Sequence, residues 1–270
     1  MTGAALGFVL LALTLGGAAH AWAASAFRAR TRSLVAGLGA ASVARPLLRE
    51  APPVVRSYAR RAAPIAVVPA KVRLNQQGAM RARPGAPWRP FTAEQIMSVR
   101  EVGFVWCATV GVAPLVTARV ADAYVRGQGF LEVRLLGSLR VAHAEGPEMD
   151  RAELMRYLAE LAWVPEALLG NPELRWRDID ATTVEVSAES ASGPARVRLG
   201  FENNRLARAE ADDRPHEEGG RLIPRPWVGR FFEHVDIDGH LVPRRAEASW
   251  VLEDGPFAYW RGEVTTFEVV

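Results

Sequence analysis

The sequence contains almost no lysine and almost no cysteine. Of its 33 basic residues only Lys71 is a lysine, and Cys107 is the only cysteine. A single cysteine excludes an internal disulfide and a cysteine metal cluster. Because Cys107 stands in FVWCATV, an apolar run typical of a buried strand, we interpret it as a small hydrophobic residue.

Motifs of the common enzyme classes are also missing. The chain has no GxSxG elbow, P-loop, GxGxxG fingerprint, HExxH pair or paired CxxC. The usual architectures of hydrolases, kinases and dehydrogenases are therefore not expected. No cofactor is predicted. No repeat with a period of about 20 to 50 residues is present, which argues against a propeller or a solenoid.

Charge is unevenly distributed along the chain. Residues 1–26 carry no charged side chain, residues 27–100 hold 14 basic against two acidic residues, and residues 101–270 hold 19 basic against 28 acidic residues. Because basic residues beside an apolar segment favour charged lipid headgroups, residues 27–100 are predicted to contact an anionic membrane surface. The acidic body makes nucleic acid an unexpected partner.

The amino-terminal segment is long and uncharged. Residues 4–26 would span about 34 Å as a helix, enough for a hydrocarbon core of about 30 Å. We expect residues 1–26 to form a single-pass membrane anchor, with the body on the cytoplasmic side because Arg28, Arg30 and Arg32 follow at once. The alternative is a secretory signal cleaved near Ala21 or Ala23, with the body exported.

The rest of the chain divides into a connector and a β-rich body. Residues 27–70 combine proline, arginine and short apolar groups and are interpreted as a basic connector. Period-two alternation over residues 71–270 predicts about 10 to 11 strands. Asn203-Asn204 and Asp238-Gly239 are typical of tight hairpin turns, and the charged stretch 212–218 beside Gly219-Gly220 is interpreted as a loop.

One helix interrupts the strands. It is predicted over residues 150–164, with Asp150 and Glu153 as a capping box and Pro165 as its end. A sheet of this size must curl strongly, and a helix in mid-chain can fill one side of it. The predicted fold class is therefore α+β and mostly β: a curved antiparallel half-barrel clasping one central helix, with an amino-terminal apolar helix.

The central helix carries unusual polar chemistry. Glu160 is one turn beyond Arg156 and could point into a cavity, where it is the candidate catalytic residue. Tryptophans in the body could line an apolar pocket or simply fill the core. The predicted ligand-binding residues are Trp106, Asp122, Tyr124, Arg156, Tyr157, Glu160, Trp163, Trp176, Trp250 and Trp260.

Metal binding is considered and not predicted. His234 and Asp236 alternate before the Asp238-Gly239 turn and are of the type that binds zinc or manganese. Alternating polar residues are equally typical of a solvent-facing strand. These two residues are the weak candidates for a metal site.

Several motifs together resemble a bacterial domain family of unknown function. They are WRPF at 88–91, GFVW at 103–106, DAY at 122–124 and RYLAE at 156–160 with Trp163 and Pro165, and the resemblance extends over about residues 50–270. The order of strands and the style of turns bear a looser similarity to curved-sheet carriers of bacterial lipoproteins. In those carriers an open half-barrel lidded by helices holds acyl chains. Both resemblances imply an architecture more than a reaction.

Three functions follow from these observations. The leading prediction is a membrane-attached binding protein that holds a lipid or other apolar ligand in a curved-sheet cavity. The second is a hydrolase-type enzyme that uses Glu160 with Arg156, Tyr157 or Asp122. The third is a structural or interaction module, which would require an interior without a cavity larger than a few waters.

Overall fold

The described residues form one large antiparallel sheet and four α-helices. A computed structural model describes residues 2–39, 51–63 and 69–270, with the side chains of residues 2–13 left aside. The helices are α1 (Thr2–Gly37), α2 (Pro53–Ala62), α3 (Pro147–Ala159) and α4 (Ala167–Gly170), with a short 3-10 helix at Leu161–Trp163.

Thirteen strands form the sheet over residues 71–269. They are β1 (Lys71–Met80), β2 (Arg89–Ser98), β3 (Phe104–Ala113), β4 (Val116–Val125), β5 (Gln128–Leu135), β6 (Leu139–Glu145), β7 (Arg175–Asp178), β8 (Thr183–Ser190), β9 (Gly193–Glu202), β10 (Arg205–Glu218), β11 (Arg221–Ile237), β12 (His240–Leu252) and β13 (Gly255–Val269).

Two meanders joined along one seam make up this sheet. The strand order is β6-β5-β4-β3-β2-β1-β13-β12-β11-β10-β9-β8-β7, so the first and last strands of the body pair in the middle. This seam runs from the pair Val72 and Val269 to the pair Met80 and Trp260. The sheet curls into a half-barrel, which confirms the predicted fold class. The edges β6 and β7 are consecutive in sequence, and the helical segment between them lies inside the curl.

The strand count exceeds the predicted 10 to 11 for local reasons. The alternating stretch 130–143 looks like one strand in the sequence, but it is broken at Leu136 and Gly137, which both have positive φ, and it becomes β5 and β6. The stretch 212–218 is not a loop, because β10 and β11 continue as a paired hairpin to Glu218 and Arg221. The two tight turns are confirmed, since Asn203, Asn204, Asp238 and Gly239 all have positive φ.

The central helix begins earlier than predicted. Helix α3 starts at Pro147, and Asp150 does not cap it. The Asp150 carboxylate instead accepts a hydrogen bond from the backbone N–H of Gly129, at 2.6 Å. A side chain at position 129 could not fit there, because its Cβ would lie 2.4 Å from the carbonyl oxygen of Met149. The predicted capping box is therefore wrong, and Asp150 fastens α3 to β5.

Helix α1 lies on the outer face of the sheet. Its last turns cover Ile96, Val105 and Val125, and Leu38 just beyond the helix is buried among them. Further back, Phe27 packs on the outer side of β4 and β5. The amino-terminal helix is thus confirmed as a helix, and it runs past the predicted boundary at residue 26 to become part of the body.

The prediction of a membrane anchor is wrong. Among the described helices, none combines the length and the apolar character that a bilayer crossing demands. Residues 4–26 belong to α1, which does not end at residue 26. The helix then continues through Arg28, Arg30 and Arg32. The predicted localisation, a single-pass membrane protein with its body on the cytoplasmic side, depended on this anchor and is wrong as well.

Part of the predicted connector forms a helix that packs in the core. Helix α2 buries Val55, Tyr58, Ala59 and Ala62. The Tyr58 ring meets Phe201 edge-on at 5.7 Å between centroids. Residues 40–50 and 64–68 of the connector lie outside the described residues. Helix α2 therefore joins α3 and α4 on the inner side of the sheet.

Candidate functional site

A cavity of about 320 Å³ lies between α3 and the inner face of the sheet. Its wall is mainly aromatic and aliphatic, with a few charged groups on three strands and on α3 with its carboxyl-terminal cap. The lining residues are Met80, Trp106, Val120, Asp122, Leu131, Val133, Arg156, Ala159, Glu160, Trp163, Arg214, Trp227, Gly229, Phe231, Ala246, Glu247, Ala248, Tyr259 and Trp260.

Six of the ten predicted ligand-binding residues line this cavity. They are Trp106, Asp122, Arg156, Glu160, Trp163 and Trp260. The sheet brings them together from β3, β4 and β13, while α3 and the following 3-10 turn supply the rest.

The other four predicted residues lie elsewhere. Tyr124 is fully buried in the core. The Tyr157 hydroxyl donates to the Ser98 carbonyl at 2.8 Å and accepts from Asn171 Nδ2 at 3.0 Å. Trp250 packs behind the lining residues against Tyr259, and Trp176 packs on the core from the edge strand β7. Tyr124 and Trp250 share a strand face with the lining residues Asp122 and Ala248, but they lie two positions farther along their strands, in the core beyond the cavity wall.

Arg156 is the centre of the polar part of the wall. Its Nη1 donates to Asp122 Oδ2 at 2.5 Å, and its Nε donates to Glu160 Oε1 at 2.9 Å. Its guanidinium carbon lies 4.8 Å from the ring centroid of Phe104 and 5.2 Å from that of Trp106. Burial alone would lower the pKa of Arg156, but the two carboxylates raise it above its ordinary value. The cation is therefore permanent.

A chain of amide side chains ties Glu160 to the floor of the sheet. Trp106 Nε1 donates to Gln76 Oε1 at 2.9 Å, and Gln76 Nε2 donates to Gln95 Oε1 at 3.0 Å. Gln95 Nε2 in turn donates to Glu160 Oε2. Both carboxylate oxygens of Glu160 thus accept a hydrogen bond, one from Gln95 and one from Arg156. Gln76 and Gln95 are themselves buried, so this network orients Glu160 firmly.

Glu153 is a buried acid beside Asp122. Burial first, and then the charge of Asp122, raise the pKa of Glu153 well above its ordinary range, against the opposing fields of Arg156 and Arg214. Both effects disfavour the ionised form of Glu153. Glu153 Oε2 and Asp122 Oδ1 are buried without a hydrogen-bond partner, while Asp122 Oδ2 accepts from Arg156.

Arg214 reaches the cavity through an irregularity in β10. The pairing with β11 shifts between Ala211 and Arg214. The three residues that β10 advances here lie opposite only two residues of β11, from Trp227 to Arg225. Such a bulge re-aims the side chains that follow it. The Arg214 guanidinium carbon lies 4.9 Å from the ring centroid of Trp227 and 5.7 Å from that of Trp250.

The aromatic wall presents mainly ring surfaces, because three of its four indole N–H groups are already bonded. Trp163 Nε1 donates to the Pro243 carbonyl, and Trp227 Nε1 donates to the Tyr259 hydroxyl. The Trp163 ring meets Phe231 and Trp260 edge-on, with centroids 5.6 and 6.3 Å apart. Trp106, Trp163 and Trp227 therefore offer ring surface to an occupant and not an indole donor.

The sequence profile of a family of unknown function (DUF6544) matches residues 41–262. The chain belongs to this family. The predicted resemblance to a domain family of unknown function is thereby confirmed. No curated protein sequence matches the chain significantly.

Solved structures resemble the fold at low sequence identity. A LolA superfamily protein from Nitrosomonas europaea is 13% identical, with 80% of this chain and 93% of that chain covered and a TM-score of 0.39. A putative outer membrane lipoprotein-sorting protein domain from Vibrio parahaemolyticus is 9% identical over 80% and 90%, at 0.43. A DUF1329 family protein from Desulfovibrio piger is 10% identical over 80% and 93%, at 0.42.

Within this DUF6544 domain the weak metal candidates are otherwise engaged. Asp236 Oδ1 accepts the backbone N–H of Gly239 at 2.9 Å and so closes the hairpin. Burial first, helped by Arg205, lowers the pKa of His234 to about 4. Across the described parts of the chain, no group of three or more potential metal ligands comes together.

Sequence reasoning missed several residues of the cavity wall. Trp227, Gly229 and Phe231 alternate along β11, a period that marks them as sharing one face. That signal was available in the sequence. Arg214 had no such signal, because the bulge before it breaks the alternation of β10.

Proposed function

We propose that the protein binds an apolar small molecule, such as an acyl lipid, in the cavity between α3 and the sheet. The observation that carries this proposal is the cavity itself: about 320 Å³, walled largely by aromatic and aliphatic side chains with a few charged groups. Small-molecule sites have this composition, and their volumes begin at about 300 Å³.

The size of the cavity argues against a purely structural module. At about 30 Å³ for each molecule of liquid water, 320 Å³ corresponds to about ten waters. A domain whose interior served only to stabilise the fold would fill such a space with side chains, since packing defects lower stability.

The cavity supports binding more than catalysis through Glu160. Both carboxylate oxygens of Glu160 accept hydrogen bonds from neighbouring side chains, so the group is held as part of the wall. A general base needs a free oxygen within reach of a substrate proton. The predicted contact of residues 27–100 with an anionic membrane surface stays a prediction.

The proposal is tested by filling the cavity. Ala248 lines it from β12, and Ala248→Trp places an indole in the space. The matched control is Val251→Trp on the same strand, where the side chain is 40% exposed. Each protein is titrated with decanoate and with decanol, and binding is followed by tryptophan fluorescence and by calorimetry.

We expect wild type and Val251→Trp to bind at least one of the two probes, and Ala248→Trp to lose at least about tenfold in affinity. Native mass spectrometry of the purified full chain should also show a retained small molecule that Ala248→Trp lacks. Absence of binding to both probes in folded wild type would refute the proposed function. Equal binding by wild type and Ala248→Trp would place the ligand elsewhere.

A further inference from the structure

Arg214 is a buried cation without a counter-ion. Its side chain lines the cavity, and the residue is 7% exposed. Within the described ranges it makes no ion pair, and its Nε is sealed from solvent with no hydrogen-bond acceptor. An unpaired charge in such a place is costly, so it calls for a partner that these residues do not supply.

Glu153 does not fill this role. The charge of Arg214 lowers the pKa of Glu153, but burial and Asp122 outweigh it, and the two groups do not come within ion-pair distance. Asp122 and Glu160 are already committed to Arg156. On the same strand Glu218 is bonded to Arg225 of β11, at 2.8 Å. None of these acids therefore forms an ion pair with Arg214.

The surroundings of Arg214 fix its orientation. The guanidinium lies over Trp227 and near the face of Trp250, and the Trp250 ring is held in turn by His216, with centroids 4.2 Å apart. Stacking on aromatic faces leaves the N–H edge of a guanidinium free. That edge matches a carboxylate, which it binds through two parallel hydrogen bonds.

We propose that the ligand is an amphiphile with an anionic head, a carboxylate on an apolar chain, and that Arg214 binds the head. This inference rests on the proposed function, because it assigns a chemical class to the occupant of the same cavity. The chain of such a ligand lies against the aromatic wall, and the carboxylate completes the hydrogen-bonding edge of Arg214. The site thereby distinguishes an acid from the corresponding alcohol.

The first test compares ligands on unmodified protein. Decanoate, decanol and decyl phosphate are titrated into the full chain below their micellar concentrations, at a slightly alkaline pH where the carboxylate is ionised. We expect decanoate to bind about tenfold to a hundredfold more tightly than decanol, the contribution of a charge-assisted pair. Equal affinity of decanoate and decanol would overturn the inference and leave the proposed function standing. Tighter binding of decyl phosphate than of decanoate would overturn the carboxylate assignment.

The second test removes the arginine. Arg214→Gln should bring the decanoate affinity down to that of decanol, and Arg214→Lys should retain part of the preference because it keeps the charge and loses the fork. Arg225→Gln is the control, since Arg225 lies directly opposite Arg214 in the strand pair but is already bonded to Glu218. An unchanged preference in folded Arg214→Gln would overturn the inference. If this variant does not fold, as judged by circular dichroism, the comparison of ligands on wild type decides.

Discussion

Replacing Arg156 by methionine tests the polar centre of the cavity wall. The substitution keeps a long apolar side chain on α3 and removes the cation that binds Asp122 and Glu160. The three side chains are only 14 to 15% exposed, so solvent cannot fully replace the lost partner. Removing one member of a buried ion pair typically costs about 3 to 5 kcal/mol.

The expected cost lies at the lower end of that range. Glu160 keeps its hydrogen bond from Gln95, so it is not left wholly unpaired. We therefore expect the free energy of unfolding to fall by about 3 kcal/mol. For a domain of this size each kcal/mol shifts the melting temperature by about 2 to 4 °C, which gives a decrease of about 6 to 12 °C.

Urea unfolding followed by tryptophan fluorescence measures the change. The matched control is Arg244→Met, because Arg244 also binds a carboxylate, Glu263 at 2.7 Å, but is 52% exposed. An exposed pair contributes at most about 1 kcal/mol. Arg156→Lys should fall between the two, since an ammonium group cannot donate to both carboxylates in the geometry of the guanidinium. If Arg156→Met costs no more than Arg244→Met, the buried network does not stabilise the fold and the reasoning is refuted.

Three further predictions concern buried titratable groups. Glu153→Gln should raise the melting temperature at neutral pH, because the raised pKa of Glu153 means that wild type loses stability as pH rises above the unfolded value of about 4.3. The hydrogen bond from His240 to Glu166 raises the pKa of His240, so this pair stabilises the fold below about pH 6.5, and the benefit is lost as pH rises through the folded value. His240→Gln should therefore flatten the pH dependence of unfolding above pH 6.5. Burial first, then nearby acids, raise the pKa of Cys107 to about 12, so a thiol reagent should modify this residue slowly in the native protein. Leu38→Ala should speed the reaction, because it loosens the packing of α1 over this part of the sheet.

Each of these predictions has a clear contrary result. A melting temperature for Glu153→Gln below that of wild type at every pH would show that the acid does not carry a proton in the fold. Parallel pH profiles for His240→Gln and wild type would show that the pair with Glu166 has no energetic role. Rapid stoichiometric labelling of Cys107 in the native protein would show that α1 does not cover this part of the sheet.

The strands and turns were largely predictable, because they depend on residues that are close together in the sequence. Alternating apolar residues specify strands, and Asn203-Asn204 and Asp238-Gly239 specify tight hairpins, because the conformation of a turn depends on its own residues. The same reasoning failed at Asp150, where an apparent cap residue bonds to the distant Gly129 instead. It failed also at residues 4–26, which are predicted to form a membrane anchor and instead belong to a helix whose later turns pack on the sheet.

The sequence by itself determined the class of fold, the position of the central helix and six of the residues that line the cavity, because periodicity states which side chains share a face. Only the tertiary structure decided how those faces meet. The pairing of β1 with β13, the docking of α1 on the outer face and the bulge that turns Arg214 inward all depend on contacts between residues far apart in the chain. Such contacts leave no local pattern, since each partner is chosen by the curvature and register of the whole sheet.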